Sequence, residues 1–159
     1  DAGQPKRTIR LLWAGAEEVG VFGGAAYGKA HADEPHALAM ESDFGADRVW
    51  KVDFHLADAA LKDEIALALA PLGIERGDAH AHGGADVGAI IEAAKPAVID
   101  LQQDGTRYFD LHHTPDDTMD KVDPAQMAQN VAAWTTVLNI VANHDGAIAP
   151  EPMAAAGEM

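Results

Sequence analysis

The chain has 159 residues, enough to bury a core of its own, and its 48% hydrophobic content with scattered charge marks a globular protein rather than a disordered one. Its 26 acidic against 11 basic residues leave a formal net charge of −15, which argues against nucleic acid or an anionic membrane surface as partner. There is no cysteine, so disulfides and thiolate metal sites are excluded and any metal must be held by His, Asp and Glu.

No apolar run approaches the about 18–20 residues of a membrane span. The chain opens as a truncated or processed chain does, running almost directly into residues 8–14, an apolar stretch rich in strand formers that reads as a buried strand. An acidic, glycine-rich stretch follows, then a short helix over residues 25–31 and a strand over 37–41 that ends in the polar Ser42-Asp43. Residues 48–56 alternate as a half-buried strand does, Val49, Lys51, Asp53 and His55 against Trp50, Val52, Phe54 and Leu56. Leu61, Ile65, Leu69 and Leu72 recur at helical spacing and predict a helix over residues 59–72, with Gly73 as terminator. A loop opens at Gly83-Gly84, a helix runs over 86–94 until Pro96 stops it, and residues 97–101 form another strand. The last helix starts with Asp123 as cap and Pro124 at its first position, and places Met127, Val131, Trp134, Leu138 and Val141 along one face. Strands alternating with helices imply an α/β architecture, with helices on both faces of a mixed, largely parallel sheet.

Two dense spots can carry chemistry. Glu17-Glu18 follows the first strand directly, and adjacent carboxylates repel unless a cation or donor is near. The pair is either a solvated acidic turn or a division of labour, one carboxylate on a metal and the other facing its water. Asp43 is either a turn former or an oxygen ligand, and Glu41, on alternation, points away from Ser42. In Phe109-Asp110-Leu111-His112-His113-Thr114-Pro115-Asp116-Asp117-Thr118 the imidazoles are either surface groups or zinc ligands, with Asp116 and Asp117 able to steady a ring. His31, His36, His55, His80, His82 and His144 show no ligand spacing with one another and read as surface or loop histidines. The Gly83-Gly84-Ala85-Asp86 loop lacks the Lys-Ser/Thr end of a phosphate loop, and no Gly-x-Ser-x-Gly elbow supports a serine hydrolase.

Taken in order, these segments resemble the co-catalytic zinc aminopeptidases, and within them the carboxypeptidase Q-like group. The likeness is carried by Lys6-Arg7-Thr8-Ile9-Arg10-Leu11-Leu12-Trp13 leading to Glu17-Glu18, and by Met40-Glu41-Ser42-Asp43-Phe44-Gly45. It continues through Gly83-Gly84-Ala85-Asp86, Tyr108-Phe109 with His112-His113-Thr114 and Asp117-Thr118, and Asp123-Pro124 with Asn130-Val131-Ala132-Ala133. The resemblance covers residues 5–143. It implies a three-layer sandwich whose N-terminal strands are missing here, with residues 1–146 the C-terminal portion of a zinc peptidase domain and 147–159 a disordered or frayed tail.

By the same resemblance Glu17 is the general base, and Glu18, Asp43 and His113 are zinc ligands. His113 is preferred to His112 because it directly precedes Thr114, as the group's ligand does. Asp86 is similar to a carboxylate that stands behind the ligands, Tyr108 or Phe109 lines the substrate pocket, and Asp117 supports an imidazole or the pocket wall. The implied cofactor is zinc, two ions per complete site, and the implied activity is exopeptidase cleavage, of the aminopeptidase or dipeptidase type, of a peptide or dipeptide. The group's His-x-Asp segment and bridging Asp lie upstream of the Lys-Arg-Thr-Ile-Arg strand. The site is therefore expected to be incomplete and this chain alone inactive, unless a homodimer or a complementing N-terminal segment restores it. A non-catalytic binding or structural module that keeps the peptidase fold is the alternative. Members of the group look secreted or periplasmic.

Overall fold

The computed structural model describes residues 3–152. A four-stranded sheet forms its centre, in the order β1 (Leu38–Ala39), β4 (Ala97–Gln103), β2 (Val49–His55), β3 (Glu75–His80). β1 lies parallel to β4 and β2 parallel to β3, while β2 and β4 are antiparallel. The mixed, largely parallel sheet expected of the sequence is the one found.

Side-chain alternation along β4 divides the helices between two faces. Ala97, Ile99 and Leu101 join Val52 and Phe54 of β2 in one core, sealed by Leu61, Ile65 and Leu69 of α2 (Ala59–Leu69) and Ala133, Val137 and Val141 of α5 (Pro124–Asn143). Each fully buried Leu or Ile there contributes roughly 1.5–3 kcal/mol of hydrophobic stabilisation. Asp100 points to the other face, where the backbone N–H groups of His82 and Gly83 donate to its carboxylate at 2.8 and 3.0 Å. That loop leads into α3 (Ala85–Ala94), which packs on α1 (Phe22–His31) around Ala39, Val87 and Ile90. The result is a three-layer α/β sandwich. No helix among the described residues is long and apolar enough to cross a membrane.

Local chemistry sets the helix ends. Asp58 caps α2 by accepting from the Leu61 N–H at 3.0 Å, and after a 3-10 turn (Ala70–Leu72) Gly73 takes the left-handed conformation (φ 76°) that ends the segment. Asp123 caps α5 by accepting from the N–H groups of Ala125 and Gln126 at 2.7 and 3.3 Å, with Pro124 at the first position. Asp123→Ala is expected to cost about 1 kcal/mol, read as a lower urea midpoint with an unchanged slope.

The structure departs from the sequence-based expectation in several places. Residues 8–14 belong to no strand, and Leu11 and Trp13 are 73% and 90% exposed. Arginine side chains anchor this stretch instead: Arg7 reaches the Val141 carbonyl at 3.0 Å and Arg10 the Tyr27 hydroxyl at 2.9 Å. β2 is not half-buried but central, and Val49, Val52, Asp53 and Phe54 are all buried. β3 is an edge strand of sequence ERGDAH, too polar and irregular to read as one.

On α5 the buried stripe is Asn130, Ala133, Val137, Val141 and Ala142, whereas Val131 is 57% exposed. The helix presents this stripe because Asn130 is tied into a buried polar network. Its amide donates to the Asp47 carbonyl at 2.8 Å and accepts from Gln103 at 3.3 Å. Of the tail expected from residue 147, Ile148 packs on the main core and the Ala57 N–H donates to the Ala149 carbonyl at 2.9 Å. Residues 153–159 lie outside the described residues.

Candidate active site

Glu17 and Glu18 open a 3-10 turn (Glu17–Val19) bracketed by Ala16 at φ 61° and Val21 at φ 54°. A β-branched residue in the left-handed region is a steric outlier, and each such residue costs of order 1–3 kcal/mol. Backbone hydrogen bonds from the Val21 N–H to the Glu17 carbonyl and from the Gly23 N–H to the Gly15 carbonyl, both 2.9 Å, hold the turn at the start of α1 against that cost, with Glu17 half-buried and Glu18 exposed. His113, at φ 59°, is strained in the same way, so three of the four left-handed non-glycine residues among those described are at this site. The two strained segments meet where His113 Nε2 lies 2.8 Å from Glu18 Oε2.

The carboxylates are tuned apart. Partial desolvation first, then the nearby carboxylates of Glu18, Asp43 and Asp86, push the Glu17 carboxyl above its usual range, with His113 pulling the other way. The hydrogen bond from His113 holds Glu18 below its usual range. Burial first, then Asp86 and Asp43, raises Glu41, although it accepts from the Val87 N–H at 2.9 Å and so caps α3 from a distance. Asp43 follows β1 and Asp86 sits in the first turn of α3, so sheet and helix bring both toward Glu17.

Stacked rings lead to the same point. Phe44 stacks on Tyr108 at 4.1 Å, Tyr108 on His112 at 4.5 Å, and His112 on His113 at 3.6 Å. Tyr108 belongs to the one-turn helix α4 (Tyr108–Leu111), which positions His112 and His113 at its end. A cleft beside the column is lined by Phe44, Asp47, Arg107, Tyr108, His112 and Asp117. Desolvation, and then Asp43, Glu18, Asp117 and Glu17, raise the Tyr108 hydroxyl's pKa. Phe109 is 74% exposed and stands outside the lining.

The donor set suits a cation. Among the described residues no lysine or arginine pairs with Glu17, Glu18, Asp43 or Asp86, and Asp86 Oδ1 is buried with no hydrogen-bond partner. Carboxylate and imidazole are the donors zinc takes where thiolates are absent. The structure brings Glu18 and His113 into contact and Asp43 near Glu17, but the ligand atoms of Glu18, Asp43 and His113 are not drawn within 4.8 Å of one another. The set that does converge so closely among the described residues is His55, His80 and Glu151. Those histidines were expected to be unrelated surface or loop groups, and only the parallel pairing of β2 with β3 brings them together. Glu41, set aside on alternation, is the other residue whose place at the site the pattern did not reveal.

A model of peptidase family M28 matches residues 1–138. Carboxypeptidase Q of Mus musculus is 34% identical over 146 residues, which make up 89% of this chain and 31% of that protein. Carboxypeptidase Q of Homo sapiens is 35% identical over 144 residues, or 88% of this chain and 30% of that protein. The crystal structure of a peptidase M28 precursor from Shewanella amazonensis SB2B superimposes with a TM-score of 0.86 at 40% identity, covering 96% of this chain and 35% of that one. The chain thus spans about a third of the length of these relatives. With the family model taking in most of its length and the same fold in a neighbour at this identity, the chain belongs to peptidase family M28.

Proposed function

We propose that the complete protein, this chain with any residues its gene places around it, is a zinc-dependent exopeptidase of the aminopeptidase or dipeptidase type. The meeting of Glu18 with His113 at 2.8 Å, two strained turns far apart in sequence, is the observation that carries the reading. Glu18, Asp43 and His113 would hold zinc, two ions being present when the site is complete. Bound there, zinc supplies a Lewis acid that polarises the scissile carbonyl and makes water more acidic. Glu17, beside Glu18 in the same turn, takes the proton of the attacking water. It then passes that proton to the leaving amine as the carbon–nitrogen bond breaks. Asp86 stands behind these groups, while Tyr108 and Asp117 line the cleft in which a peptide would lie.

The chain spans about a third of the length of its relatives, and by the resemblance further ligands are expected from residues upstream of it. We therefore expect the 159-residue chain alone to be inactive, and a complementing N-terminal segment or a second copy to be needed for turnover. We expect the complete protein to be secreted or periplasmic, as members of the group it resembles look, a reading overturned if fractionation finds it in the cytoplasm.

The test is hydrolysis of aminoacyl amides and dipeptides by the complete protein before and after chelation. Turnover that disappears with chelator and returns with Zn2+ supports the assignment. A protein that binds zinc but cleaves none of these substrates is a non-catalytic module on the peptidase fold.

A further inference from the structure

We propose that His55, His80 and Glu151 form a binding site for a divalent transition-metal ion, separate from the candidate active site. Each offers one ligand atom, and the three atoms lie within 4.8 Å of one another. None belongs to the constellation around Glu17. His55 ends β2 and His80 ends β3, which are parallel neighbours, so the two imidazoles emerge side by side from the same edge of the sheet. Their ring centroids are 4.1 Å apart and tilted by 54°, and the His82 ring stands 5.0 Å beyond His80.

Glu151 arrives from the C-terminal segment, which Ile148 and the Ala57–Ala149 hydrogen bond hold against the fold. One of its carboxylate oxygens bonds Lys62 at 2.5 Å, leaving the other unclaimed by that bond. His55 Nδ1 is buried and has no hydrogen-bond partner, an arrangement that costs stability unless something binds there. An ion coordinated by that nitrogen removes the cost. Two imidazoles and one carboxylate form a donor set for Zn2+, Ni2+ or Cu2+ rather than for Mg2+ or Ca2+, which take oxygen ligands. His80 is exposed, so the ion has an open path and room for water as a further ligand. Bound there, it would tie residues around Glu151 to the ends of two strands.

The experiment is equilibrium dialysis of the complete protein, without a histidine tag, against graded Zn2+, followed by elemental analysis. Wild type, His80→Asn and Glu151→Gln are compared, with Glu18→Gln as the variant of the other site. His80→Asn and Glu151→Gln are expected to weaken one equivalent of zinc by about tenfold or more while peptide hydrolysis is retained. Glu18→Gln should keep that equivalent. Added Zn2+ should raise the thermal midpoint of His80→Asn and of Glu151→Gln by less than that of wild type, because one of the zinc sites is lost. If His80→Asn is itself less stable without metal, Glu151→Gln decides, since it leaves both imidazoles in place. Identical zinc stoichiometry and affinity in wild type, His80→Asn and Glu151→Gln would overturn the proposal, whatever the outcome for hydrolysis.

Discussion

Glu17→Gln in the complete protein is expected to lower kcat by about 10²- to 10⁴-fold, the usual reach of a positioned general base, while zinc content stays at the wild-type level. The amide matches the carboxylate in size, so the turn between Ala16 and Val21 has no reason to move. What is lost is the ability to accept a proton. Glu18 keeps its contact with His113, and Asp43 is untouched, so the proposed ligands remain. Glu18→Gln should behave differently. It removes the charge that His113 faces at 2.8 Å, and metal content and turnover should fall together. Elemental analysis beside steady-state kinetics separates the two variants. Undiminished turnover in Glu17→Gln would remove the base assignment. Loss of zinc in that variant would make Glu17 a ligand instead.

The parts of the fold that were legible in the sequence are those where local chemistry and tertiary packing agree. α5 was marked by its Asp123-Pro124 start, and α2 by Leu61, Ile65 and Leu69, all of which are buried. What failed depended on partners distant in sequence. Residues 8–14 carry strand formers, but a strand exists only where another edge supplies hydrogen bonds, and the described residues supply none. β3 was hidden for the opposite reason, since its pairing with β2 is real while its side chains are almost all exposed. The face of α5 was misplaced because Asn130, a polar residue, turns inward to reach Asp47 and Gln103.

At the site, the residue types alone left Glu17, Glu18, Asp43 and His113 open between turn or surface groups and ligands, and it was the family resemblance that singled them out. No spacing rule could show that Glu18 touches His113. Nor could it show that Ala16 and Val21, neither of them glycine, would be left-handed. His55, His80 and Glu151 were invisible because their meeting depends on strand register and on a docked C-terminal segment.

Gly24→Ala is expected to destabilise the protein by about 3 kcal/mol or more, at the upper end of what overpacking costs, and to weaken catalysis as well. A Cβ at Gly24 would stand 2.3 Å from the Asp86 carbonyl oxygen and 2.9 Å from its carbonyl carbon. One turn on, a Cβ at Gly28 would meet the Ala89 Cβ at 2.6 Å. α1 and α3 therefore touch backbone to backbone, and no side-chain rotation relieves the collision. Helix propensity pulls the other way, since alanine is better than glycine in a helix interior by about 1 kcal/mol. Contact should win over propensity here, because α1 can admit the methyl only by moving off α3. That movement would also separate the Glu17-Glu18 turn at the head of α1 from Asp86 at the head of α3. Gly88→Ala is the control: it lies inside α3 with nothing within 4 Å of the added carbon, and should stabilise by roughly 0.5–1 kcal/mol. Urea midpoints of the two variants should thus move in opposite directions from wild type. If Gly24→Ala also gains stability, the close approach of α1 to α3 is not what holds the two carboxylate-bearing segments together.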